Sequence, residues 1–151
     1  MPQAQPPPFS APCPEESLFV ELARTADLLA RGPSRLLKAE GISPAQYNVL
    51  RILRGEPEGL LCGEIANRMI SRDPDITRLV DRLEKQGLIS RCRRDQDRRG
   101  VVVRIAPQGL SLLSRLDEPV RELHREQLGH IAPKRLQNLI RLLRACRREQ
   151  D

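Results

Sequence analysis

Aromatic side chains are almost missing from this chain: one Tyr, two Phe and no Trp among 151 residues. A core must then be built from Leu, Ile, Val and Ala, which suits helices packed on helices. No apolar run approaches the roughly 18–20 residues that a membrane helix needs, so no bilayer span is expected. The first eleven residues lack the basic start and the continuous apolar stretch of a secretory signal, and a cytoplasmic protein is expected. The four cysteines (Cys13, Cys62, Cys92 and Cys146) form no C-x-x-C pair and no metal-ligand spacing. In a reducing compartment they read as free thiols. Nucleophile elbow, glycine-rich phosphate loop and H-E-x-x-H are all lacking, so neither an enzyme nor a cofactor is expected.

What the chain does have is charge, and it is unevenly placed. Hydrophobic content of 39% with 30% charged residues fits a folded protein, and the length fits one domain. Lys and Arg number 26 against 20 Asp and Glu, a net +6. Residues 1–40 carry four basic and five acidic side chains, whereas residues 91–99 hold five arginines against two aspartates. A local excess of that kind favours a polyanionic partner, and function is to be sought there.

Along the chain, residues 1–14 are rich in Pro, Ala and Gln and read as a tail. Leu18, Leu22 and Leu29, with Phe19 and Ala26 beside them, then mark a helical stripe, which Gly32-Pro33 should kink or restart. Ser43-Pro44-Ala45-Gln46 is a strong helix start: a cap, a proline at the first position and a residue placed to close a capping box. That helix carries Tyr47, Val49, Leu50 and Leu53 and stops at Gly55. Leu60-Leu61 reads as a short strand, and residues 63–69 as a third helix. A fourth helix spans residues 73–86, with Asp73 as cap, Pro74 in the first turn and Asp75 at the positive end of the dipole. Its apolar residues Ile76, Leu79, Val80 and Leu83 follow helical spacing, and Gly87 ends it. Residues 88–93 and 101–105 are two strands of a hairpin with a charged tip. Leu113, Leu116, Val120 and Leu123 belong to a further helix that Pro119 should kink or divide. Gly129 and Pro133 precede a last helix with Leu136, Leu139, Ile140 and Leu143 on one face.

The order helix, helix, short strand, helix, helix, hairpin is that of a winged helix-turn-helix: mostly α, with a small β-wing and a helical dimerisation region. In a helix-turn-helix pair the second helix enters the major groove and its first residues meet base edges. Burying the apolar stripe leaves Asp75, Thr77, Arg78, Asp81 and Arg82 outward, after Ser71 and Arg72 in the turn. Arginine can bond a guanine edge twice, so Arg78 is the first choice for base readout and Thr77 the second; Arg72 and Arg82 suit phosphate. An amphipathic helix with a merely solvated charged face looks the same by itself, and the arginine-rich hairpin directly after it tips the balance. In the tip, Arg94, Arg98 and Arg99 suit a minor groove and its phosphates, while Asp97 can orient an arginine.

The run from Asp73 to Arg91, with Leu83-Glu84-Lys85-Gln86-Gly87-Leu88-Ile89 at its end, then Asp97-Arg98-Arg99 and the segment up to Gly109, resembles the MarR family of transcriptional regulators. Residues 41–50 match that family's second helix, and the likeness extends over residues 15–148. Leu61 and Ala106 depart from it, standing where a Thr or Ser cap is usual, at about 1 kcal/mol each. The resemblance implies a homodimer that binds a near-palindromic operator on double-stranded DNA, as a repressor. Residues 15–40 and 107–151 would form the dimerisation helices, and residues 41–106 the DNA-binding region. It also implies release by a small, often aromatic, acid, for which Tyr47 is a pocket candidate, or by oxidation, for which Cys13 is the candidate. Against the second, no cation neighbours Cys13 in sequence to lower its pKa. His124 and His130 are six apart and lack the company of a metal site. A winged helix used only for protein contacts is the competing class.

Overall fold

Ser43 opens the second helix by the expected mechanism. Its hydroxyl accepts from the Gln46 amide at 3.2 Å, and the Gln46 side chain accepts from the Ser43 amide at 2.9 Å. In the computed structural model, which describes residues 13–71, 75–93 and 101–147, the elements run α1 (Pro14–Ala39), α2 (Pro44–Arg54), α3 (Cys62–Arg68), α4 (Ile76–Lys85), β1 (Ile89–Arg93), β2 (Val101–Ile105), α5 (Pro107–Leu128) and α6 (Pro133–Ala145). β1 and β2 pair antiparallel from Ile89↔Ile105 to Arg93↔Val101. Leu60 adds a single bridge to Val103, N–H to C=O in both directions at 3.0 and 2.8 Å, so the expected strand at Leu60-Leu61 is one residue long. This is the winged helix-turn-helix plan, mostly α with a small sheet.

The core draws on nearly every element. Leu37 of α1, Val49, Leu50 and Leu53 of α2, Ile65 of α3, Val80 and Leu83 of α4 and Val103 of β2 are almost fully enclosed, together with Leu113 and Leu116 of α5. In α5, which the resemblance assigns to dimerisation, Leu113, Leu116 and Val120 are already buried within one chain. α6 and the stretch of α1 up to Leu28 are the opposite case. No residue of α6 is buried, and Leu18, Phe19, Leu28, Leu139, Ile140 and Leu142 are exposed.

Two prolines do not break their helices. Pro33 lies inside α1 and Pro119 inside α5, so neither helix restarts at its proline. Pro33 has no N–H to give to the Leu29 carbonyl one turn back, and the Gln127 side chain of α5 donates to that carbonyl instead, at 3.0 Å. Gly32 lets α5 come close: a Cβ there would lie 3.0 Å from Leu123 Cδ2. Gly32-Pro33 is thus a helix crossing. The α4 cap also differs. Asp75, not Asp73, is the N-cap, and its carboxylate accepts from the Arg78 amide at 3.2 Å. Asp73 and Pro74 lie outside the described residues.

Gly109, in the first turn of α5, is a point of forced contact. A Cβ there would stand 2.3 Å from the Leu88 carbonyl oxygen and 2.8 Å from Ile105 Cγ1. Helix propensity alone predicts that Gly109→Ala stabilises by about 0.5–1 kcal/mol. Because backbone must shift to admit the methyl, we expect a loss of about 1–3 kcal/mol instead. Urea unfolding decides the sign.

Candidate nucleic-acid interface

α3 and α4 form the helix-turn-helix, and the turn between them is tied to α2. The Asn48 side chain accepts from the Ile70 amide at 2.8 Å, leaving the Ile70 side chain 91% exposed beside the exposed Ser71. On α4 the apolar stripe Leu79, Val80 and Leu83 is buried. That orientation puts Thr77, Arg78 and Arg82 at the surface, as expected from the spacing. Arg78 Nε lies 3.1 Å from Asp75 Oδ2, and the arginine side chain is 77% exposed. Asp75 thus serves the helix and the arginine at once: it caps the first turn and holds one edge of the guanidinium. Arg72, Arg94, Asp95, Asp97, Arg98 and Arg99 lie outside the described residues.

Two arginines of the hairpin strands, Arg91 and Arg104, are engaged inward. Arg91 on β1 spans two carboxylates of α4, with Nη2 at 2.5 Å from Asp81 Oδ1 and Nη1 at 2.7 Å from Glu84 Oε2. Its pKa is raised, chiefly by the hydrogen bond to Asp81. Arg104 on β2 donates through Nε to the Glu58 carbonyl at 3.0 Å and approaches the Glu58 carboxylate at 3.3 Å. Asp81, expected to point freely outward, is therefore half-buried and committed to Arg91. The charge count along the hairpin could not reveal this. The usable signal was the acidic pair Asp81 and Glu84, one turn apart within an otherwise basic reading helix.

Helices α2 and α5 are bolted together by a paired arginine that sequence reasoning also missed. Arg54 Nη1 donates to both oxygens of Asp117, at 3.0 and 2.8 Å. These bonds hold the Asp117 carboxyl below its ordinary range and raise the Arg54 pKa. Tyr47 stands at the edge of a cleft of about 280 Å³ beside this pair, with Arg51, Arg121 and His124 in its wall. The Arg51 guanidinium carbon is 5.9 Å from the Tyr47 ring centroid, within cation–π range. Cys13 is exposed at the N-cap of α1, and its amide donates to Glu16 at 3.1 Å. All four cysteines are free thiols, and among the described residues no helix is long and apolar enough to cross a membrane.

Residues 42–101 match the MarR family model, a stretch that runs from the start of α2 to the start of β2. The chain is 30% identical over 129 residues to the HTH-type transcriptional repressor IacR of Pseudomonas putida, covering 85% of this chain and 77% of that protein. Among solved structures it is similar to a MarR transcription factor from Planctomyces limnophilus, at 41% identity and a TM-score of 0.67, over 90% of this chain and 98% of that one. It is also similar to the PcaV regulator of Streptomyces coelicolor, solved in complex with its natural ligand, at 25% identity and a TM-score of 0.72, over 95% and 100% of the two chains. A winged helix-turn-helix with an exposed basic reading face and relatives that span nearly its whole length leads to one conclusion: the chain belongs to the MarR family of DNA-binding transcriptional regulators.

Proposed function

We propose that the protein is a cytoplasmic repressor that binds a near-palindromic operator as a homodimer, each copy reading one half-site through α4. The observation that carries this reading is Arg78: it sits in the first turn of α4, is 77% exposed, and has its Nε side held by the capping Asp75. A guanidinium oriented in that way can give two bonds to a guanine edge, with Thr77 beside it to meet a neighbouring base or phosphate. Ser71 and Arg82 flank them as phosphate contacts, and Arg72 is assigned the same task. In the wing tip Arg94, Arg98 and Arg99 anchor in the adjacent groove, with Asp97 as their orienting partner. The dimerisation helices are α1, through Leu18, Phe19 and Leu28, and α6, through Leu139, Ile140 and Leu142, all of them exposed. The effector is a small aromatic acid in the cleft at Tyr47: the ring supplies a stacking face, and Arg51 and Arg121 a site for a carboxylate. The solved relative holding its natural ligand supports a ligand-controlled regulator.

The test is fluorescence anisotropy on duplexes from the region upstream of the protein's own gene. Loss of one bidentate base contact costs about 1–3 kcal/mol, so Arg78→Ala should weaken the tightest duplex roughly 5- to 150-fold. Thr77→Ala should cost less. Equal affinity of Arg78→Ala and the unmodified protein for that duplex would contradict the assignment.

A further inference from the structure

Arg91 is the arginine of β1 that cannot be read as an outward DNA contact. Its side chain is 27% exposed and its two terminal nitrogens are each given to a different carboxylate of α4, at 2.5 and 2.7 Å. Only three residues (Gln86, Gly87 and Leu88) separate α4 from β1, so the direction in which the wing leaves the reading helix is set locally. Asp81 stands one helical turn after Thr77 and Arg78, on the same side of α4. Left alone, its carboxylate and that of Glu84 would sit beside the reading residues and repel the phosphate backbone.

We propose that Arg91 is a positioning residue for DNA recognition: by gripping Asp81 and Glu84 together, it fixes the first wing strand against α4 and offsets half of the negative charge that borders the reading face. The planar guanidinium suits this task, because it offers separate N–H groups to two acceptors in one fixed geometry. A lysine is a single point charge and cannot hold both carboxylates in the same way. The clamp rests on the reading that α4 enters the major groove. It adds that the selectivity of α4 depends on a wing residue that touches no DNA.

The experiment uses the full chain, a duplex that the unmodified protein enriches from a random pool, and a scrambled duplex of equal length. Binding is measured over a range of salt concentrations for Arg91→Gln, Arg91→Lys and the double variant Asp81→Asn/Glu84→Gln. Arg91→Gln should lose affinity for the enriched duplex about tenfold more than for the scrambled one, with the salt slope kept; a lost phosphate contact would instead weaken both alike and lower the slope by about 1. Arg91→Lys should recover part of the selectivity. The double variant should bind the scrambled duplex more tightly, because two negative charges are gone, and still lose selectivity. It breaks the same clamp with Arg91 in place, so it decides the matter if Arg91→Gln does not fold. Undiminished selectivity in Arg91→Gln and in the double variant overturns the clamp. Uniform weakening with a lower slope also overturns it, and makes Arg91 a phosphate contact. An unmodified protein that enriches no sequence defeats the groove reading itself, which separates that failure from failure of the clamp.

Discussion

Leu139→Asp/Leu142→Asp is expected to turn a dimer into a monomer and to lower operator affinity by about 10²- to 10⁴-fold, the scale of avidity lost when two linked half-site contacts become one. Both leucines lie on α6, at 45% and 49% exposure, on a face that no other part of the chain buries among the described residues. Leu18, Phe19 and Leu28 of α1 are similarly uncovered. Burying a leucine stabilises by about 1.5–3 kcal/mol, so a two-fold interface built from such faces gains strongly, and carboxylates placed within it reverse the gain. Because the leucines are exposed in the single chain, the variant should keep its helical circular dichroism while its mass by light scattering halves. A variant that stays dimeric would place the interface elsewhere.

Leu113→Ala should act through the core of the single chain and cost about 2–5 kcal/mol of folding stability. Leu113 is fully enclosed by the cluster that also holds Leu50, Leu53 and Val103. Had the α5 stripe been only a dimer surface, the same substitution would chiefly weaken association, and its effect would shrink as the protein is concentrated. The two cases separate in denaturant titrations at widely different protein concentrations. The structure predicts a shift of the midpoint that is the same at each; a shift confined to dilute samples would contradict it.

The elements that the sequence reveals are those with local causes. Ser43, Pro44 and Gln46 announce α2 because the capping contacts fall within four residues. The stripe Leu79, Val80 and Leu83 orients α4 and thereby exposes Thr77 and Arg78. Gly87, with φ of 70°, stops that helix as expected. What stayed hidden depends on contacts distant in sequence. Pro33 looks like a break until the Gln127 side chain, 98 residues away from Leu29, supplies the missing donor. Two aspartates flank Pro74, and local chemistry favours either as a cap; the chain uses Asp75. The stripe of α5 has the same pattern whether its cover is α2 or a second copy. For the candidate site, exposure of Thr77, Arg78 and Arg82 was legible in the spacing, whereas the inward engagement of Arg91, Arg104 and Asp81 was not. Long charged side chains choose partners by geometry, and charge counts carry no geometry.

Readout by α4 is tested most directly by a binding profile in which every base pair of the enriched operator is replaced in turn, for the unmodified protein and for Arg78→Ala. We predict two symmetric guanine positions, about one DNA turn apart, where the unmodified protein loses affinity on replacement and Arg78→Ala does not. Discrimination at all other positions should be preserved in the variant. An Arg78→Ala profile identical to that of the unmodified protein, or one flattened evenly across the site, would contradict base readout by this residue.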